Sequence, residues 1–244
     1  MAEMLETREL RMVYQDGKQE VVAVAGVDVR FRRGEIVGLF GPSGSGKTTL
    51  LSLLGCILKP SSGSLRLFGK EVTSLGEKAL PAVRKRFISF IFQGFNLFPA
   101  LSVLDNVLLG LRIKGITGEE AEQRALRVLE EVGLSERSTF LPRDLSGGQK
   151  QRVAVARALA SDCPLILADE PTGNLDHANG RNVMEILRTL AHEKGRCVVV
   201  ATHDNRIDDI FDRILFMEDG SITKETDDIN KLRLMRELTT SSLR

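Results

Sequence analysis

The sequence predicts an α/β protein whose central sheet is largely parallel, and three observations support this prediction. An apolar run over residues 35–40 leads into a glycine-rich stretch, 41–48, which opens into a helical segment, 49–58. Further apolar strands alternate with helical segments, which is typical of a parallel sheet covered by helices. Between two of those strands, residues 94–160 show helical spacing of apolar residues. We therefore expect a parallel core that is interrupted by a mainly helical insert.

The strand before the glycine-rich stretch is preceded by two further β segments, residues 6–13 and 21–31. The turn residues at 15–18 predict that these segments pair as an antiparallel N-terminal β subdomain. Residues 64–68 alternate in polarity like a half-buried strand. Residues 87–92 form a short, nearly continuous apolar run, which is typical of a strand buried on both faces.

The helical insert is predicted to contain a helix over 103–114 and a second one that begins after Thr117 and ends at Gly133. Thr117 and Glu120 have the spacing of a capping box. After the insert we expect a strand at 165–168, a helix at 178–193 and a strand at 197–201. A hairpin should follow, with Leu215 and Met217 opposite Ile222 across a turn at Asp219 and Gly220. The tail, 226–244, is predicted to form an amphipathic helix.

Composition narrows the class of protein. The 34 Lys and Arg residues nearly balance the 33 Asp and Glu residues, so no global charge argues for nucleic-acid binding. No apolar run approaches the roughly 18–20 residues of a membrane span, and the N-terminus has no signal-peptide pattern. The three cysteines have no paired spacing, which indicates buried free thiols in a reducing compartment. We expect a soluble, cytosolic chain.

The glycine-rich stretch matches the phosphate-loop pattern G-x-x-x-x-G-K-[ST] in the required context of strand, turn and helix. Glycines allow positive φ, and successive N–H groups at a helix start can cradle phosphates. We expect Lys47 to meet the outer phosphates as a solvated cation, and the Thr48 hydroxyl to bind Mg²⁺. The alternative is a Gly/Ser turn that happens to precede a helix. The nucleotide-binding prediction comprises Gly41, Pro42, Ser43, Gly44, Ser45, Gly46, Lys47, Thr48 and Thr49.

A second motif consists of an apolar strand that ends in two carboxylates, Asp169 and Glu170. A strand of this kind places its terminal Asp near the Mg²⁺ of a phosphate-loop enzyme. Neighbouring side chains of an extended chain point to opposite faces, so Glu170 reaches the phosphates only through a bend. With that bend, Glu170 can act as the general base for water. The alternative is a strand end with two solvated carboxylates.

A third motif opens a helix that runs to residue 160, and it comprises Leu145, Ser146, Gly147, Gly148 and Gln149. Its two glycines expose backbone N–H groups, Ser146 can cap the helix, and the helix start adds positive potential. The motif is therefore a second anion-binding helix terminus in the same chain. A simple structural turn is the alternative, but it would not explain a similar construction at both places.

With these motifs in this order along the chain, the sequence resembles the nucleotide-binding subunits of ABC transporters over essentially its full length. Residues 145–149 resemble the ABC signature, and Gln93 resembles the Q-loop glutamine. Asp176 resembles the D-loop aspartate, His203 the switch histidine, and Tyr14 the aromatic residue that stacks on adenine. Residues 168–176 are similar to the subgroup of macrolide-exporter, lipoprotein-release and cell-division ATPases, although Phe140 replaces a histidine found in many relatives.

The resemblance implies ATP and Mg²⁺ as ligands, with Thr48, Gln93 and Asp169 around the metal. It implies that two copies of the chain meet head to tail, with each signature contacting the γ-phosphate on the other copy. It also implies that His203 senses that phosphate and that Asp176 links the two sites. On this basis we expect one ABC ATPase domain over 1–244, divided into a nucleotide-binding core at 1–93 and 161–225, a helical subdomain at 94–160, and a C-terminal helix at 226–244.

The function implied by the resemblance is that of an ATP-hydrolysing subunit that powers a separate transmembrane permease in export or lipoprotein release. The subunit would sit on the cytoplasmic face of the inner or plasma membrane through that permease. We expect the contact at residues 95–101, where core packing of the insert is the alternative. A regulatory ATPase that signals through a membrane partner without transport remains open. A soluble ABC ATPase of DNA repair or translation usually carries a long coiled coil or two ATPase domains, and the sequence has neither.

Overall fold

The computed structural model describes residues 3–17 and 19–228. The predicted C-terminal helix lies outside the described residues from position 229 onward. At its predicted start, Thr226 is instead the last residue of a strand.

The central sheet has six strands in the order β10-β9-β3-β8-β7-β6. Neighbouring strands are parallel except for β9 and β10, which form the predicted hairpin with Met217 opposite Ile222. The inner strands are buried at nearly every residue, which suits apolar runs between helical layers. The strands are β3 (Ile36–Phe40), β6 (Ile88–Ile91), β7 (Leu165–Asp169), β8 (Cys197–Thr202), β9 (Arg213–Glu218) and β10 (Ser221–Thr226).

A second, antiparallel sheet has the order β2-β1-β4-β5. Its first two strands extend beyond the predicted segments because their polar ends continue the pairing as far as Asp16 and Gln19. The pairing shifts register between Thr7 and Leu10, next to Glu9, which has a φ of 47°. The strands are β1 (Glu3–Asp16), β2 (Gln19–Arg32), β4 (Ser62–Leu67) and β5 (Lys70–Glu71). With both sheets present, the predicted α/β fold class is confirmed.

Six α-helices occur within the described ranges: α1 (Lys47–Leu54), α2 (Leu80–Phe87), α3 (Val103–Lys114), α4 (Gly118–Glu131), α5 (Gly147–Ala160) and α6 (His177–His192). Helices α3, α4 and α5 pack on one another and account for the helical character of the insert. Helix α1 packs on one face of the central sheet with the antiparallel sheet, while α6 and the insert pack on the other. The division into subdomains at 94 and 160 remains a prediction.

The prediction for residues 87–92 is wrong in two respects. Phe87 ends helix α2, which the sequence analysis missed because only Leu80 of that helix is buried and its apolar pattern is therefore weak. Strand β6 is not buried on both faces, since Ser89 and Ile91 are buried but Ile88 and Phe90 are half-buried. The reason is its position at the edge of the sheet, where one neighbouring strand is missing.

The predicted capping box at Thr117 is also wrong. Thr117 occupies the N-cap position of α4, but its side chain accepts no hydrogen bond from the helix. The next residue, Gly118, has a φ of 68°, so the first turn does not present its N–H groups to the Thr117 hydroxyl. A capping box forms instead at Ser146 and Gln149, at the start of α5.

The three cysteines are free and buried, as predicted. Within the described part of the chain, no helix combines the length and the hydropathy that a membrane span requires.

Candidate nucleotide site

The phosphate loop connects β3 to α1 and is packed tightly against two other strands. A Cβ atom at Gly41 would clash with the carbonyl oxygen of Met217, on β9, and one at Gly46 would clash with the carbonyl oxygen of Ala23, on β2. Gly46 also has a φ of 99°, which disfavours any residue with a side chain. Glycine is therefore required here by the packing of the loop as well as by the approach of a ligand.

The side chain of Lys47 corrects one expectation, because it is not solvated. It is only 7% exposed, and its Nζ donates hydrogen bonds to the carbonyl oxygens of Gly41 (2.8 Å) and Pro42 (2.9 Å). A buried ammonium group must be satisfied by acceptors, and the loop provides them from its own backbone. A phosphate would therefore have to replace these two carbonyls around the ammonium.

Thr48 and Asp169 come together although they are 121 positions apart in the chain. The Thr48 hydroxyl donates to Oδ1 of Asp169 over 3.1 Å, which joins the start of α1 to the end of β7. Burial raises the pKa of Asp169 above its ordinary value, and the hydrogen bond from Thr48 opposes that rise. The two side chains supply adjacent hard oxygen atoms beside the phosphate loop.

Glu170 provides the bend that its predicted role requires. Its φ is 45°, in the left-handed region, and its N–H donates to the carbonyl oxygen of Ala201 on β8 (2.9 Å). Its Oε1 lies 2.8 Å from Nδ1 of His203. Its Oε2 is buried and has no hydrogen-bond partner among the residues that the structure describes. One carboxylate oxygen is thus held by His203, and the other makes no hydrogen bond within the described residues.

These groups surround an open cleft of about 410 Å³. It is lined by Ser43, Gly44, Gly46, Lys47, Thr48, Thr49, Gln93, Glu170 and His203, together with Val21, Val22 and Ala23 of β2. The sequence analysis did not place the β2 residues in the site. The sequence gives no signal for them, because it is the fold that leaves Val21 and Val22 exposed by 47% and 39% beside the phosphate loop.

Tyr14 does not line the cleft, but it lies beside it. It is 39% exposed, and on the antiparallel pair β1–β2 it is directly opposite Val21, which does line the cleft. Opposite residues of an antiparallel pair project from the same face of the sheet. The predicted stacking of Tyr14 on adenine remains a prediction.

None of the residues 145–149 lines the cleft of its own chain. Ser146 caps α5 by accepting from the N–H of Gln149 (3.3 Å), and the Gln149 side chain accepts from the N–H of Ser146 (2.9 Å). Leu145 is buried in the hydrophobic core, and Gly148 is buried against Asn179 of α6. The position of Leu145 suits support of the loop rather than ligand contact.

Asp176 caps helix α6. Its carboxylate accepts hydrogen bonds from the N–H (2.9 Å) and the side-chain amide (2.7 Å) of Asn179, and these bonds lower the pKa of Asp176. Just before it, the Asn174 amide donates to the carbonyl oxygen of Gln93 over 3.0 Å. This link between the Gln93 and Asp176 segments was not predicted, because Gln93 and Asn174 are 81 positions apart and carry no sequence pattern.

Comparison with known proteins identifies the family. A protein-family model for ABC transporters matches residues 24–173. The chain belongs to the ABC transporter family.

Its ABC relatives include members of the subgroup that the motifs resemble. An uncharacterized ABC transporter ATP-binding protein of Thermotoga maritima is 45% identical, over 91% of this chain and 94% of the relative. LolD, the lipoprotein-releasing system ATP-binding protein of Chromohalobacter salexigens, is 39% identical over the same shares. MacB 1 of Aeromonas hydrophila, a macrolide export ATP-binding/permease protein, is 42% identical over 91% of this chain and 34% of that longer protein.

Solved structures of ABC cassettes have the same fold. A dimeric structure of the cassette MJ0796 from Methanocaldococcus jannaschii matches with a TM-score of 0.86 and 40% identity, over 91% of this chain and 98% of that one. A second dimeric structure of MJ0796 is a post-hydrolysis state bound to ADP and Pi, with a TM-score of 0.86 and 39% identity. The predicted resemblance to ABC ATPase subunits is confirmed.

Proposed function

We propose that this chain is the ATP-binding and ATP-hydrolysing subunit of an ABC transporter complex and that it powers a separate membrane permease, in export or lipoprotein release. The observation that carries the proposal is the pair formed by Glu170 and His203 at the cleft. It leaves one buried carboxylate oxygen without a partner next to a phosphate loop. A module that only binds nucleotide has no need for such a proton acceptor.

ATP would be held through its phosphates by the N–H groups of the loop and by Lys47. The ammonium group already faces two acceptors, the carbonyl oxygens of Gly41 and Pro42, at ordinary hydrogen-bond distances. Phosphate oxygens carry full charge and make stronger bonds to an ammonium than neutral carbonyls do. Lys47 would therefore exchange the carbonyls for phosphate when ATP binds.

The residues where α1 begins and where β6 and β7 end fit Mg²⁺. Thr48 and Asp169 offer adjacent hard oxygens, and Gln93 lines the same cleft. Mg²⁺ in such enzymes is usually held by one or two protein carboxylates together with water and substrate phosphates. When bound, the ion supplies positive charge that neutralises the phosphate oxygens.

Glu170 would take the proton of the attacking water on its Oε2. His203 bonds to the other oxygen of the same carboxylate, so the carboxylate is oriented before the substrate arrives. A well-placed general base typically contributes about 10²- to 10⁴-fold to the rate. Asn174 donates a hydrogen bond to the backbone carbonyl of Gln93, another residue that lines the cleft, and so helps to position it.

We propose that the active form is a head-to-tail dimer. The signature residues do not line the cleft of their own chain, yet Ser146 and Gly147 lie at the start of a long helix, where N–H groups favour an anion. A second copy could present this helix start to the γ-phosphate, and Asp176 would lie between the two sites. MJ0796, a relative, forms dimers of this cassette, one of them with ADP and Pi.

The membrane partner would be a separate polypeptide, which would hold the subunit at the cytoplasmic face of the membrane. The predicted contact segment, 95–101, supports this in part, since Phe98 is 51% exposed. Leu97 instead packs against the hydrophobic core that the insert shares with the central sheet and α6. The Asn106 side chain holds the segment by bonding to the N–H (2.8 Å) and the carbonyl oxygen (3.2 Å) of Phe98.

The proposal is tested by isolating the tagged chain from detergent-solubilised membranes and assaying the complex for ATP hydrolysis. We expect Mg²⁺-dependent hydrolysis and co-purification of a protein with membrane spans, which sequencing would identify. A parallel preparation of Glu170→Gln controls for contaminating ATPases. The proposal fails if the complex hydrolyses no ATP, or if the wild type and Glu170→Gln hydrolyse it equally.

A further inference from the structure

Gln93 is one of the residues proposed to hold Mg²⁺, and its side chain has no partner that fixes it. It is exposed and lines the cleft, and no hydrogen bond joins its side-chain amide to another residue of the described ranges. A metal ligand is usually oriented by a hydrogen bond from a neighbouring group. Gln93 lacks such a bond, so the position of its amide depends on the backbone that carries it. The groups that hold this backbone therefore affect the metal site.

Arg157, near the end of helix α5, holds the backbone that follows Gln93. Its Nη1 donates to the carbonyl oxygen of Asn96 (2.6 Å), and its Nη2 donates to that of Phe95 (3.0 Å). A guanidinium presents its N–H donors in a planar fork, so it can bond two neighbouring carbonyls at once. Because Asn174 bonds the Gln93 carbonyl, side chains from distant segments hold three of the four carbonyl oxygens from 93 to 96.

The backbone at Phe95 and Asn96 has a conformation that residues with side chains rarely adopt. Their φ values are 61° and 49°, both in the left-handed region. Two successive residues of this kind persist only where the surrounding structure holds them. Their own N–H groups bond within the segment, to the carbonyl oxygens of Phe92 (3.1 Å) and Gly94 (2.7 Å). Arg157 therefore provides the link between this turn and the rest of the protein.

The Arg157 side chain is closely packed, and ion pairing does not explain its position. Burial lowers its pKa, so the surroundings disfavour the cation. No carboxylate in the described part of the chain forms an ion pair with it. Gly110 on α3 lies so near that a Cβ there would be 3.1 Å from Cγ of Arg157. The bonds to the two carbonyls are thus the interactions that satisfy this partly buried cation.

We propose that Arg157 is a positioning residue for the nucleotide site, because it fixes the turn after Gln93 and so places the Gln93 side chain for Mg²⁺. This inference rests on the proposed function, in which Gln93 belongs to the metal site. Arg157 itself does not line the cleft. Its effect on the metal therefore passes through Gln93. Groups that orient a metal ligand typically change metal affinity or activity by about 10- to 100-fold when they are removed.

Arg152 offers a matched control for a purely structural role of Arg157. It lies on the same helix, it is also half-buried, and its Nη1 donates to a backbone carbonyl, that of Val132 (3.3 Å) at the end of α4. Val132 does not line the cleft. Arg152→Met therefore matches Arg157→Met in the helix affected, the charge removed and the type of bond lost, but it leaves the Gln93 segment untouched.

The test measures metal binding by the full chain with Mn²⁺ as a probe for Mg²⁺, in the presence of a non-hydrolysable ATP analogue. Electron paramagnetic resonance reports the Mn²⁺ that remains free. We expect Arg157→Met to raise the Kd for Mn²⁺ by about tenfold or more and Arg152→Met to leave it unchanged. Without metal, the Kd for the analogue should stay near the wild-type value in both variants, since the phosphate loop is intact. Arg157→Lys keeps a shorter donor, so its Kd for Mn²⁺ should be intermediate.

Two further measurements test the route through Gln93. If Arg157 acts through Gln93, adding Arg157→Met to Gln93→Ala should raise the Kd for Mn²⁺ little beyond the effect of Gln93→Ala alone. In the absence of nucleotide and metal, the amides of Phe95 and Asn96 should exchange hydrogen faster in Arg157→Met than in the wild type or Arg152→Met. Thermal melting establishes that each variant is folded. If Arg157→Met does not fold, Arg157→Lys carries the same comparisons.

Several outcomes would overturn the inference. An unchanged Kd for Mn²⁺ in folded Arg157→Met would do so, and so would an equal rise in Arg152→Met. Additive effects of Arg157→Met and Gln93→Ala would show that Arg157 does not act through Gln93. The proposed function is judged separately by Mg²⁺-dependent ATP hydrolysis of the wild-type complex. A wild-type complex that hydrolyses ATP, together with Arg157→Met that binds Mn²⁺ normally, would refute the inference and leave the proposed function standing.

Discussion

Nδ1 of His203 lies 2.8 Å from Oε1 of Glu170 across the ends of two neighbouring strands, β8 and β7. The Glu170 side chain is largely buried, whereas that of His203 is 65% exposed towards the cleft. Nδ1 of the imidazole therefore contacts the carboxylate, and the rest of the ring faces the space where a nucleotide would lie. The contact makes the orientation of Glu170, the proposed general base, depend on His203, which is itself proposed to sense the phosphate.

Replacing His203 should therefore slow hydrolysis more than it weakens ATP binding. We expect His203→Ala to lower kcat by about 10²-fold or more, in the range for loss of a group that assists proton transfer, with only a small change in the Kd for ATP. His192→Ala is a matched control, because His192 pairs with Asp212 away from the cleft. A variant that hydrolyses ATP at the wild-type rate would show that the contact with Glu170 is incidental.

Lys47→Ala should abolish productive ATP binding while the chain remains folded. The loss removes the cation from the phosphates and also leaves the carbonyls of Gly41 and Pro42 without their donor, which we expect to cost about 1–3 kcal/mol of stability. Titration with a fluorescent ATP analogue measures the affinity, and a thermal melt measures the stability. Lys59→Ala, at an exposed site, is the control. Near-wild-type affinity in Lys47→Ala would remove Lys47 from the phosphate site.

Tyr14→Ala should weaken nucleotide binding, and Tyr14→Trp should preserve it, because only the face of the ring is needed. Stacking of a base on an aromatic side chain is worth about 1–3 kcal/mol, which corresponds to a loss of roughly five- to 150-fold in affinity. Val21→Ser tests the neighbouring wall of the cleft. If Tyr14→Ala binds as the wild type does and Val21→Ser does not, the adenine rests on β2 and the stacking prediction is wrong.

Ser146→Arg should leave ATP binding to the single chain nearly unchanged and stop turnover. The substitution also removes the cap of α5, at a cost of about 0.5–2 kcal/mol. Ser102→Arg removes the equivalent cap of α3 and controls for that loss, since Ser102 does not line the cleft. Mixing Ser146→Arg with Lys47→Ala should produce dimers with one intact composite site. An ATP-binding defect as large as that of Lys47→Ala would refute action across the dimer.

Much of the fold and the site could be predicted because each motif has a local pattern. The alternation of strands and helices predicts the central sheet, and the phosphate loop is recognised from its glycines together with Lys47 and Thr48. Helix α2 could not be predicted, since a helix that buries a single side chain leaves almost no apolar periodicity. Its omission also misplaced the start of β6.

The features of the site that could not be predicted from the sequence are those that depend on backbone conformation or on contacts between distant segments. The predicted role of Glu170 requires a bend in the backbone, but an Asp-Glu pair in a sequence does not indicate the positive φ that produces it. The inward orientation of Lys47 depends on where the loop carbonyls point, and the bond from Asn174 to Gln93 depends on the packing of two remote segments. The place of Val21 in the cleft follows only once β2 is positioned beside the phosphate loop.

The most direct test of the central claim, that Glu170 drives an ATP-dependent dimer cycle, is size-exclusion chromatography of Glu170→Gln with Mg-ATP. The amide keeps the shape of the side chain but cannot take a proton, which should cost about 10²- to 10⁴-fold in rate, or about 3–5 kcal/mol of barrier. We expect a stable dimer for Glu170→Gln, mostly monomer for the unmodified chain, and no trapped dimer for Asp169→Asn, which loses a proposed Mg²⁺ ligand. The claim is contradicted if Glu170→Gln hydrolyses ATP at the parent rate, or if it binds Mg-ATP tightly and never dimerises.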